Sequence, residues 1–169
     1  AAQGRKDVCG LILVSGAGRP VLDVMREQLQ ANPANASILP EALHAIDELK
    51  AGRHVDTSSM NPVLLRLFAP QVQDFMISAY AADPVEVLRK AGKKTLVVQG
   101  TTDLQTTVED AQLLNKAPRT RLKLIEGMNH ILKEAPADRA ANIATYSDTS
   151  LPLAPKLVSS IANFIKSDD

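Results

Sequence analysis

KTLVVQGTTD at Lys94–Asp103 and RLKLIEGMNH at Arg121–His130 are the two ends of one stretch, joined by a helical run, and its reading decides the fold. Each end holds a short apolar run with branched side chains, Thr95–Val98 and Leu122–Ile125, of the length of a buried strand. After each run come a glycine, Gly100 or Gly127, and a polar turn carrying one group able to do acid–base chemistry. Asp103 sits three residues past the first glycine and His130 three past the second. Loops that follow parallel strands collect at the carboxyl edge of the sheet, where ligands bind. Two such loops on adjacent strands predict Asp103 and His130 close together. An aspartate that orients a histidine is two-thirds of a Ser-His-Asp device.

Working outward, Val8–Val14 (VCGLILV) is nearly continuous apolar sequence, as for a strand buried on both faces of a parallel sheet. Ser15–Pro20 leaves it as a flexible turn, and from Val21 to Lys90 the pattern becomes helical. Apolar residues recur at helical spacing in VLDVMREQLQ, from about Pro40 to Lys50, over Val63–Phe68 and Val72–Tyr80, and again after Pro84. Asn32-Pro33, Ala51-Gly52, Asn61-Pro62, Ala69-Pro70 and Ala91-Gly92 break the run. About 70 residues of helix between two strands far exceeds a simple crossover, so this is an insertion. Thr106 and Glu109 have capping-box spacing at the head of a helix that reaches about Lys116. Beyond His130, a short helix or turn is expected over Ile131–Ala137 and irregular chain over 138–154. A last helix, Ala154–Lys166, places Leu157, Ile161, Phe164 and Ile165 on its inner face.

LVVQGTTDLQTTVEDA and LKLIEGMNHILKEAP resemble the seventh and eighth strands of the α/β-hydrolase fold with their catalytic loops, and GLILVSGAGRP resembles the sixth strand and the start of a lid insertion. The resemblance covers nearly the whole chain but only the carboxyl half of that fold. It implies an α/β architecture of about three parallel strands flanked by helices, with residues 1–19 and 93–169 as partial core and 20–92 as a helical lid. It also implies catalytic roles for Asp103 and His130. That family places its nucleophile on a G-x-S-x-G elbow. None occurs here; in the nearest candidate, Val14-Ser15-Gly16, Leu13 stands where the first glycine belongs.

Composition removes several classes. Lys+Arg and Asp+Glu are equal at 19 each, so no global field draws in nucleic acid or an anionic membrane, and 3% aromatics with no Trp makes a poor base-stacking platform. No run reaches the ~20 apolar residues of a membrane span. The single cysteine, Cys9, has no partner for an internal disulfide and reads as a small buried residue. Neither the histidines, His44, His54 and His130, nor Cys9 show metal-ligand spacing, and no metal or cofactor is expected. Gly16-Ala17-Gly18 follows a strand as a dinucleotide-binding loop would, but the third glycine position falls on Val21. The opening AAQGRKD has no Met and no signal peptide; it reads as a helix end and a turn, with Gly4 at the C′ position. The chain is therefore expected to start inside a fold, and its compartment is not legible.

Glu109 and Asp110 rival Asp103 as the acid, but both lie inside the expected helix. His44 and His54 read as ordinary lid residues, and for Asn129, beside His130, nothing in the sequence separates a role in that loop's geometry from chance. The expectation is a serine-dependent hydrolase of an apolar ester working through an acyl-enzyme, its nucleophile on a missing amino-terminal half of the same fold, so that these residues alone are inactive. Thioesterase, C–C hydrolase or dehalogenase chemistry on the same fold, or a non-catalytic binding module, are the alternatives. The apolar edge of strand 8–14 would lack a neighbour, which allows copies to associate through edge-strand or lid contacts.

Overall fold

The computed structural model describes residues 2–167. Three parallel strands, β1 (Gly10–Val14), β2 (Lys94–Gly100) and β3 (Thr120–Ile125), form one sheet in the order β1-β2-β3. Leu11 pairs with Thr95 and Val14 with Val98; on the other side Val97 pairs with Leu122 and Gly100 with Ile125.

Successive side chains along a strand point to opposite faces, and here they divide the sheet unit into two cores. Leu96 and Val98 join Ile125, Met128, Ala154 and Leu157 on one face, with Ile12 and Val14 packed against them. On the other, Val97 joins Leu88, Ala111, Leu114 and Ala117, with Leu11, Leu13 and Leu122 against it. The helices α5 (Pro84–Ala91) and α6 (Val108–Leu114) supply the second core, and the last helix, α8 (Leu157–Lys166), the first. As the middle strand, β2 is buried at six of its seven positions. Both edges differ from the expectation of full burial. Every residue of β1 is only half-buried because β2 is its one strand partner among the described residues, and β3 exposes Arg121, Lys123 and Leu124. Cys9, just ahead of β1, is exposed rather than buried.

Arg19–Asp83 is a second compact unit. In it α1 (Val21–Gln30), α2 (Leu39–Lys50), α3 (Pro62–Phe68) and α4 (Pro70–Tyr80) share a core of Leu22, Ile46, Leu49, Leu64, Phe68 and Met76, among others. Gln73, buried within α4, exchanges hydrogen bonds with the backbone of Val55 at 2.8 and 3.1 Å and donates to the Phe68 carbonyl at 2.8 Å. That one amide holds down the polar link between α2 and α3. The boundaries fall at 18/19 and 83/84, so α5, read from the sequence as the end of an insertion over 20–92, belongs with the sheet. The outer limits of the expected core, residues 1 and 168–169, lie outside the described residues.

Beyond β3 the chain is more ordered than its sequence reads. A turn through His130 and Ile131 falls where a short helix or turn was expected, and isolated bridges, Met128 with Glu134 and Lys133 with Leu153, tie down the residues that follow it. Within 138–154 a helix, α7 (Arg139–Ala144), is capped by the Asp138 carboxylate, which accepts from the Ala141 N–H at 2.9 Å, and a 3-10 turn (Thr145–Ser147) follows. Along α8, Ile165 points outward at 67% exposure, because Leu157, Ile161 and Phe164 already face the sheet.

Candidate active site

Gly100 ends β2 where the next loop must pass very close. A Cβ there would stand 1.9 Å from the Met128 carbonyl oxygen, so only glycine lets the two loops touch. They are stitched by backbone: Thr101 N–H donates to the Ile125 carbonyl at 3.1 Å and Thr102 N–H to the Met128 carbonyl at 3.2 Å, while Gly127 N–H donates to Thr101 Oγ1 at 2.9 Å. Gly127 takes the left-handed conformation, φ 70°, and turns the chain toward His130.

This stitching brings Asp103 and His130 into contact. His130 Nδ1 lies 3.0 Å from Asp103 Oδ2 and 3.2 Å from Oδ1. The carboxylate side chain is fully shielded from solvent, whereas the imidazole is 29% exposed. Asp103 Oδ1 also accepts from the Gln105 N–H at 2.8 Å and the Thr106 N–H at 3.0 Å; Oδ2 accepts from Thr106 Oγ1 and Gln99 Nε2, each at 3.1 Å. Burial, the largest single influence, opposes ionisation. The hydrogen bonds from His130, Gln105 and Thr106, with the attraction of His130, together outweigh it and hold the carboxyl below its ordinary pKa. An ionised carboxylate only accepts, so Nδ1 is the donor to Asp103 and Nε2 points away from that contact. Nε2 has no hydrogen-bond partner among the described residues.

The rival acids are placed elsewhere. Glu109 is exposed on the first turn of α6. Asp110 is fully buried but spoken for: it closes a capping box with Thr107 and accepts from the Gly18 N–H at 3.1 Å. The box is thus Thr107–Asp110, one residue later than the expected Thr106–Glu109, because the Thr106 hydroxyl is turned to Asp103. The same contact disposes of the phosphate-loop reading. Gly18 gives its N–H to a carboxylate, and a Cβ on it would meet the Asp110 carbonyl oxygen at 2.1 Å.

Ser15, at the carboxyl end of β1, has φ 50°, yet it is no elbow: its Oγ is buried without a partner, and the next helix starts only at Val21. His44 is exposed on α2, and the exposed His54 pairs through Nε2 with Asp74 at 2.7 Å, both in the helical unit. Among the described residues no three His, Cys, Asp or Glu side chains group as a metal site, and no helix is long and apolar enough to cross a membrane. Sequence reading missed Gln99 and Thr106 as partners of Asp103. A glutamine interrupting an apolar strand was the available signal for Gln99; Thr106 had been assigned to the helix cap.

No protein-family model and no curated protein matches the chain. Solved structures do. An enol-lactonase from Burkholderia xenovorans LB400 is similar at TM-score 0.43 and 17% identity, over 99% of this chain and 60% of its own. The esterase RhEst1 from Rhodococcus sp. ECU1013 is similar at 0.40 and 18%, over 98% and 58%. A serine hydrolase involved in carbazole degradation is similar at 0.35 and 22%, over 83% and 52%. The chain thus spans less than two-thirds of the length of each. All three TM-scores lie below 0.5, and the likeness assigns no activity to this chain.

Proposed function

We propose that Asp103 and His130 are the acid and base of a serine hydrolase of the α/β-hydrolase fold, acting on an ester with an apolar acyl or alcohol group. The observation that supports it is the 3.0 Å contact between a shielded, ionised carboxylate and an imidazole whose second nitrogen is open, at the carboxyl edge of a parallel sheet. In this reading Asp103 fixes the tautomer and stabilises the imidazolium. His130 Nε2 takes the proton from a serine hydroxyl as the oxygen attacks the ester carbonyl, then gives it to the departing alcohol. Water, activated by the same nitrogen, releases the acid from the acyl-enzyme.

The serine would come from outside these 169 residues, on a strand laid along the open edge of β1. Strand spacing of ~4.8 Å puts such a strand about 14 Å from β3. His130 stands five residues past the end of β3, a reach of up to ~16 Å, so the loop is long enough. The helical unit, which leaves the sheet unit after β1, is assigned the role of a cap, and the chain alone is expected to turn over no ester.

Fluorophosphonate labelling and p-nitrophenyl ester hydrolysis by the full-length gene product test this reading. One serine should be labelled, and Asp103→Asn should lower turnover by about 10⁴-fold, as expected when a triad carboxylate loses its charge and the histidine its tautomer. Turnover within twofold of the parent in His130→Ala would exclude His130 as the base. Labelling on Ser15 would exclude a nucleophile from elsewhere.

A further inference from the structure

We infer that Asn142, on α7, is a positioning residue that holds the Asp103 loop against the His130 loop; this rests on the reading of that pair as acid and base. Asn142 is completely buried. Its Nδ2 donates to the Thr102 carbonyl at 2.8 Å and to the Pro136 carbonyl at 2.9 Å, and its Oδ1 accepts from Asn129 Nδ2 at 3.3 Å. Asn129, also completely buried, spends its second amide hydrogen on Thr145 Oγ1 at 2.8 Å, and its Oδ1 accepts from the Lys133 N–H at 3.1 Å. Both hydrogens and the oxygen of each amide are therefore used.

The partners are what matter. The Thr102 carbonyl belongs to the peptide unit that continues into Asp103, and Asn129 is the residue before His130. Pro136 lies where the histidine loop runs out toward α7. One side chain thus fixes the peptide leading into the acid, the residue leading into the base, and the far end of the base's loop. Only a short primary amide offers two donors and an acceptor at this reach. An aspartate would set an anionic oxygen against two carbonyls, and an alanine would take this donor from both. Backbone stitching already joins the loops through Thr101 and Thr102; Asn142 adds a side-chain link from Thr102 to Asn129 and Pro136.

The test is proton NMR of the histidine rings in the 169-residue chain itself. The parent should show a downfield, slowly exchanging Nδ1–H resonance that disappears in Asp103→Asn, which assigns it to the pair. Asn142→Ala and Asn142→Asp should lose that resonance, or exchange it at least tenfold faster, while the β2 amides keep their shifts. Ala141→Gly, exposed on the same helix, loosens α7 without touching the amide and should keep the resonance.

Persistence of the resonance in a folded Asn142→Ala chain overturns the inference. So does its equal loss in Ala141→Gly, its absence from the parent, or failure of both Asn142 variants to fold, since the residue would then serve the fold at large. The readout needs no nucleophile. A resonance governed by Asn142 in a protein whose ester hydrolysis ignores His130→Ala would keep the positioning role and remove the hydrolase.

Discussion

Asp103 concentrates the physical chemistry of this chain. A hydrogen bond to a charged group contributes about 1.5–3 kcal/mol, and this shielded carboxylate accepts from His130, Gln99, Gln105 and Thr106. Its folded pKa lies below the unfolded value, so its contribution to stability is complete above that value and fades as pH falls through the folded one. Urea titrations from pH 5 downward should show the parent losing stability over the acid range, with Asp103→Asn less stable at pH 5 and losing less as pH falls. Equal losses in the two proteins would mean that the carboxylate is not held ionised. Gly100 is the other decisive position. Gly100→Ala should cost stability at the upper end of the roughly 1–3 kcal/mol of overpacking, because a backbone carbonyl must move, and should part the two loops. A melting temperature unchanged from the parent would contradict the contact.

At the scale of elements, α6 carries more than its own cap. Asp110 satisfies the Thr107 N–H and also the N–H of Gly18 across the sheet unit. Asp110→Ala therefore removes a cap worth about 1 kcal/mol and leaves the Gly18 donor buried without its carboxylate, a further penalty of about 1–3 kcal/mol. Thr107→Ala loses only the cap. Chemical denaturation of the two variants should show Asp110→Ala clearly the less stable, and equal losses would reduce Asp110 to a local cap. The edge strands differ for a reason of charge. β3 exposes Arg121 and Lys123, which discourage another strand from pairing, whereas β1 is Gly-Leu-Ile-Leu-Val with one side open.

For the whole molecule, the hydrophobic clusters do not cross the 18/19 and 83/84 boundaries: one lies in Arg19–Asp83 and two lie with the sheet. Separate cores unfold separately unless their interface couples them. Differential scanning calorimetry should resolve two transitions. Phe68→Ala, a fully buried residue of the helical core, should lower one of them, by about 3–5 kcal/mol in stability, and leave the Asp103–His130 resonance intact. A single transition that shifts as a unit in Phe68→Ala would show the two units to be one cooperative body.

The sequence by itself determined what depends on neighbours in the chain. Apolar runs of strand length, the helical spacing between them and a glycine after each strand were enough for three strands, an inserted helical unit and the contact of Asp103 with His130. Only the tertiary structure decided what depends on distant partners. Cys9 and β1 lie open because an edge strand is half-covered however apolar it is. Asp110 turned from rival acid to strut because Gly18 packs against α6. Gln99, Thr106 and Asn142 gained their roles because a hydrogen bond is set by where a partner's donor or acceptor stands in space, a quantity that sequence spacing does not carry.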